Sequence, residues 1–134
     1  MTSRTTAKAT ITVRRYEPVP SDQPADGPAL VRVHVEEDFS GDITGSGVVE
    51  FLQVLRNDQS ASFVGMERVD GVLAGRRGTF VLQDEGTVTG SSVDGRWFVV
   101  PGSGTGELAG LRGEGGFAAE LGQDATVTLE YWFD

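Results

Sequence analysis

An all-β chain that closes into one mostly antiparallel barrel of about eight strands, with little helix, is the fold class this sequence predicts. Two observations carry the prediction. Short stretches alternate apolar and polar residues or are rich in β-branched and aromatic side chains, and glycine or charged turn residues separate them, which is the strand and hairpin pattern, not the helical one. The number of such stretches, about eight or nine, suits a small barrel whose interior is either filled by side chains or just wide enough for one small ligand.

Residues 7–16 set Ala7, Ala9, Ile11 and Val13 against Lys8, Thr10, Thr12 and Arg14, so a half-buried strand is expected there. Residues 18–28 hold four of the five prolines and no bulky apolar residue after Val19, and read as a Pro-rich surface loop. Residues 30–37 alternate again, with Val31, Val33 and Val35 opposite Arg32, His34 and Glu36. Further strands are expected at 45–55, 61–72, 78–83, 86–92, 96–100, 116–120 and 125–133, with turns at 56–59, 74–77, 93–95 and 121–124. The most glycine-dense stretch, 101–116, reads PGSGTGELAGLRGEGG and suits a compact loop or barrel corner. Its G-x-G-x-x-A fragment, Gly104 to Ala109, lacks the helix that a dinucleotide site needs after it.

The whole chain of 134 residues fits one domain, residues 1–134. Its formal charge of −9 would repel the phosphates of nucleic acids and an anionic membrane face, so neither is an expected partner. The absence of cysteine removes disulfides, thiolate metal sites and thiol nucleophiles. No signal-peptide core opens the sequence and no run of roughly 18 apolar residues occurs in it; a cytoplasmic location is expected.

The run GTGELAGLRG resembles the glycine-rich signature of the allene oxide cyclase and dirigent barrels, and the wider pattern is similar to an uncharacterised bacterial family with that barrel. The likeness extends through FSGDITGSGVVEFL, ASFVGMERVDGVLAGRRGTFVLQDEGTV, WFVVPGSGTGELAGLRGEGGF and VTLEYWF, most of the chain from Phe39 onward. It implies an allene oxide cyclase-like barrel. It also implies a cofactor-independent cyclase or isomerase that steers ring closure of a small hydrophobic, polyketide- or fatty-acid-like substrate. Two features depart from the pattern: members of the bacterial family commonly carry a His where this chain has Asp84, and the plant enzymes end in a helix that is lacking here.

Such an enzyme holds its substrate, excludes water and places a polar group near developing charge. Polar residues in phase with apolar ones are the candidates. Glu67 shares a strand face with Phe63 and Gly65, and Glu50 with Val48 and Leu52; either carboxyl, desolvated, would serve as general acid or base. A Glu on a strand that faces solvent and pairs with an Arg is the alternative. Phe63, Phe80, Gln83, Trp97 and Tyr131 are candidate substrate-binding residues. His34 falls in the polar phase, no spacing resembles a metal site, and the acidic groups Glu36-Glu37-Asp38 and Asp84-Glu85 read as solvated. In Trp97-Phe98 and Trp132-Phe133 neighbours face opposite sides, which leaves aromatic surface outside the barrel and predicts a homodimer. A non-catalytic carrier of an apolar molecule and a filled, purely structural oligomerising barrel stand as alternatives to the enzyme.

Overall fold

A computed structural model describes residues 3–134. Its strands are β1 (Thr5–Asp22), β2 (Ala29–Gly41), β3 (Ile43–Leu55), β4 (Ala61–Leu73), β5 (Arg76–Thr89), β6 (Ser92–Val99), β7 (Leu111–Glu120) and β8 (Ala125–Phe133). Each pairs antiparallel with the next, and β8 returns to β1 from Thr5↔Tyr131 to Ile11↔Ala125. The result is the closed eight-stranded antiparallel barrel expected. Among the described residues no helix is long and apolar enough to cross a membrane.

The period of two sets one residue in two toward the interior. On β2 these are Val31, Val33, Val35, Glu37 and Phe39, all buried, while Leu30, Arg32, His34 and Glu36 face out. The outer face of β2 to β6 carries exposed Leu30, Val48, Leu52, Val64, Met66 and Phe98; of these, Phe98 is one of the outward aromatics on which the expectation of self-association rests. Trp132 is covered from within the chain instead: the Arg4 guanidinium lies 4.2 Å from its ring centre.

Several boundaries differ from those expected. Residues 18–22 belong to β1, where Pro18↔Val33, Val19↔Arg32 and Pro20↔Val31 pair, and only 23–28 form a connection. Prolines are tolerated there because β1 beyond Ile11 pairs with β2 alone, and a strand edge asks for no amide donor on its open side. A register shift between Val13 and Arg15 adds one residue, a bulge that flips the phase of the rest of the strand. Tyr16 thereby pairs with Val35 and turns toward the barrel mouth. The stretches 78–83 and 86–92 form one strand, β5, since Asp84 faces inward in its middle. The turn expected at 93–95 lies earlier, at Gly90 (φ 60°) and Ser91, because glycine at the first central position of a two-residue hairpin loop accepts the positive φ.

The end of the glycine-rich stretch is strand: β7 starts at Leu111. The rest seals one end of the barrel. β6 stops at Val99 and leaves the Arg76–Val81 half of β5 without a strand on that side, and the loop takes its place. Thr105 N–H donates to Thr79 O at 2.8 Å, Val81 N–H to Ser103 Oγ at 3.0 Å, and Arg77 N–H to Glu107 Oε1 at 3.1 Å. A single 3-10 turn, Gly106–Leu108, then drops Leu108 into the core, where it is fully buried with Ile43, Leu73, Phe80, Leu111 and Leu129. Gly104 is required here, because any side chain would strike the Leu108 carbonyl. The loop hydroxyls are spent on β5 backbone, so the stretch is a stopper for the barrel.

Candidate functional site

The opposite half of the barrel is hollow. A cavity of about 560 Å³ runs from a mouth at Tyr16 and residues 121–125 down to the packed half, a volume suited to a small organic ligand. One wall is aromatic. Phe51 meets Phe63 edge-on at 5.0 Å, Phe63 lies 6.1 Å from Phe117, and Phe117 lies 5.1 Å from Trp97, within the range of favourable ring pairs. Inward glycines make room for these rings: a side chain at Gly65, Gly86 or Gly95 would collide with Phe51, Phe63 or Phe117 respectively. Trp97 is fixed by its indole N–H, which donates to Thr128 O at 2.9 Å.

Three carboxyl groups stand where the cavity meets the packed half. Glu37 on β2, Glu67 on β4 and Asp84 on β5 line the cavity and are 7%, 1% and 2% exposed. Glu67 donates a hydrogen bond to Glu37, while Glu67 Oε2 and Asp84 Oδ1 have no hydrogen-bond partner. No Lys, Arg or His lines the cavity among the described residues. Burial disfavours the charged form of each group. It pushes the Asp84 carboxyl up to about 8, with the nearby Glu37 charge adding to the effect. Burial, the hydrogen bond to Glu37 and the charges of Glu37 and Asp84 together hold Glu67 well above the usual carboxylate range. Glu37 is raised by burial and drawn back by the hydrogen bond it accepts. Near neutral pH Asp84 is therefore a carboxylic acid able to donate a proton, Glu67 holds its proton more firmly than an ordinary carboxyl, and Glu37 beside them is suited to accept one.

Of the residues singled out from the sequence, Glu67, Phe63 and Trp97 come together in the cavity wall. Phe80 and Tyr131 face inward but lie in the packed half. The inward orientation considered for Glu50 is corrected. Glu67 pairs with Val49, and directly opposed residues share a face, so Glu50 points outward with its side chain 64% exposed. Gln83 is outward for the same reason, since its neighbours Leu82 and Asp84 are buried. Glu37 and Asp84, read as solvated, are buried instead. Their signal is the alternation itself: Glu37 is in phase with Val33 and Val35, and Asp84 with Phe80 and Leu82.

His34 is on the outer face, as expected. Its Nδ1 lies 2.6 Å from Glu50 Oε1 and its Nε2 2.9 Å from Glu36 Oε2. Glu17, His34 and Glu36 bring ligand-type atoms within 4.8 Å of one another. Arg15, however, pairs with Glu17 at 2.6 Å and reaches Glu36 at 3.9 Å, so this is an exposed ion-pair network.

Fold and site together define a hollow antiparallel β-barrel, stoppered at one end and floored with buried carboxyl groups. Residues 7–131 match the family described as "Protein of unknown function (DUF3224)", and the chain belongs to that family. It is similar to a protein of unknown function of the same family from Shewanella oneidensis MR-1, solved by crystallography at 1.84 Å. The two share 29% identity and a TM-score of 0.75, over 100% of this chain and 99% of that one. No curated protein matches.

Proposed function

We propose that the barrel binds a small, largely apolar molecule and isomerises or cyclises it by general acid–base catalysis, without a cofactor. The observation that carries this reading is the placement of Glu37, Glu67 and Asp84, otherwise uncompensated, at the inner end of an aromatic-walled cavity. Isomerisation consumes no net proton. One carboxyl, Glu67 or Asp84, gives its proton to a substrate atom; a second, Glu37, receives one from another atom; the protons then redistribute among the three groups. The rings from Phe51 to Trp97 supply the apolar contact that holds the substrate and excludes water.

The test compares host metabolite extract incubated with the wild type and with Glu67→Gln. An isomerisation leaves mass unchanged, so the expected result is one compound replaced by another of equal mass and different retention time, at a rate at least about a hundredfold lower in the variant. Native mass spectrometry follows the bound molecule in both proteins. Binding by both without conversion by either overturns the catalytic reading in favour of a carrier. A cavity that retains no metabolite and does not take up the neutral dye Nile red overturns both.

A further inference from the structure

We infer that the ligand of this cavity carries a protonated amine on an apolar body, with the ammonium group seated between Glu67, Glu37 and Asp84; this deepens the proposed function and rests on it.

The floor of the cavity is built for a positive group. Glu67 Oε2 and Asp84 Oδ1 are buried oxygens with no hydrogen-bond partner among the described residues, and an unmet buried polar atom is costly. The chain supplies no counter-charge, for no Lys, Arg or His is among the described residues lining the cavity. Acidity continues to the rim, where Glu120 and Asp124 add to the lining, and the whole chain carries −9. A carboxylate or phosphate ligand would meet repulsion along this path, whereas a cation would be drawn in. An alcohol or ketone could hydrogen-bond but would leave the negative charge of an ionised carboxyl unbalanced.

The shape of the site selects among cations. The three inner carboxyls do not each bring one oxygen within 4.8 Å of the others, since the described group that does so is Glu17–His34–Glu36 on the outer face. A small metal ion would thus find fewer than three carboxylate ligands within reach, while an ammonium group needs only one ionised carboxyl as its partner, its other donors turning to whichever neighbouring oxygen is close. The aromatic wall of Phe63, Phe117 and Trp97 suits both the apolar body and the face-on approach of a cation. When one carboxyl pairs with the ammonium, the remaining carboxyls keep protons for the acid–base step.

The groups that titrate around the ammonium seat are Glu37 from β2, Glu67 from β4 and Asp84 from β5. The strands between and beside them present Gly47 and Val49 on β3 and Trp97 on β6, which do not titrate. Ionisation of these carboxyls with rising pH therefore strengthens amine binding.

The experiment uses three probes of one shape on the intact protein: 1-naphthylmethylamine, 1-naphthylmethanol and 1-naphthoate, measured by calorimetry at pH 6, 7 and 8. The amine is expected to bind at least about tenfold more tightly than the alcohol at pH 7, and more tightly at pH 8 than at pH 6. The naphthoate is expected not to bind, and alcohol affinity to stay level with pH. In the double variant Glu37→Gln/Glu67→Gln the amine's advantage over the alcohol is expected to fall below about threefold, with an unchanged far-UV circular dichroism spectrum reporting an intact barrel. Should that variant not fold, the wild-type ranking and its pH trend decide alone. Equal binding of amine and alcohol overturns the amine inference while sustaining an apolar-ligand cavity. No binding of any probe and no uptake of Nile red overturns both.

Discussion

Glu67 reaches Glu37 through the space that Gly47 leaves open. Gly47 sits directly opposite Glu37 on β2 and opposite Val69 on β4, and any side chain there would collide with Glu67 Oε2 and crowd the Phe39 ring at 3.0 Å. Two acidic side chains two strands apart can thus share a hydrogen bond because the strand between them is bare at that level.

Replacing Gly47 with Ala is expected to force the Glu67 carboxyl away from Glu37 and to destabilise the barrel by roughly 1–3 kcal/mol, the usual cost of overpacking. Urea unfolding followed by tryptophan fluorescence measures it. An unchanged midpoint would show that the carboxyl pair has room to spare.

The barrel is expected to become less stable as pH rises from 5 to 9. In the folded chain Asp84 keeps its proton to about pH 8, against an ordinary value of 3.8, so its protonation favours the folded state across that interval. That contribution is fully present below pH 3.8 and is lost as pH climbs through about 8, at about 1.4 kcal/mol for each pH unit. Glu67, raised for the same reason, steepens the slope. Asp84→Asn removes one group's share and is expected to be more stable than the wild type at pH 8 by roughly 2–4 kcal/mol. Denaturant midpoints at pH 5, 7 and 9 provide the check.

His34, the single histidine of the chain, is expected to titrate above 6.5, because the hydrogen bonds to Glu50 and then Glu36 favour the imidazolium. Its ring protons give isolated NMR signals that need no assignment. Glu50→Gln is expected to lower the midpoint, and a midpoint at or below 6.5 in the wild type would show that the pair does not persist in solution.

The strands are legible in the sequence wherever one face is apolar and the other polar. β8, at Ala125–Phe133, lies where the alternation of Val127, Leu129 and Tyr131 puts it. β3 is legible as a strand but not in its phase, because Val48, Leu52 and Val54 are exposed while Val49 is buried; apolar residues on both faces give no direction, and the ladder decides. Glu67 stands out because Phe63 and Gly65 share its phase. Glu37 and Asp84 do not, because each sits in a run of acidic residues, and the rule that charged runs are solvated holds for ionised groups. Protonated carboxyls escape that rule, and protonation depends on neighbours brought in from other strands. The prolines at 18 and 20 suggest a loop, since only the completed barrel shows that this stretch of β1 borders no further strand.

That one-sided stretch of β1 has a consequence for how the molecule behaves in a crowd. From Thr12 to Asp22 the strand offers a line of backbone that β8 does not cover, the kind of template on which a second chain could grow a sheet. Pro18 and Pro20 remove amide donors along it, the shift at Arg14 breaks its regular spacing, and Arg14, Arg15 and Glu17 crowd it with charge. Residues of this kind hinder strand addition at an open edge, so the proline pattern that resembles a loop in the sequence makes the uncovered stretch a poor template.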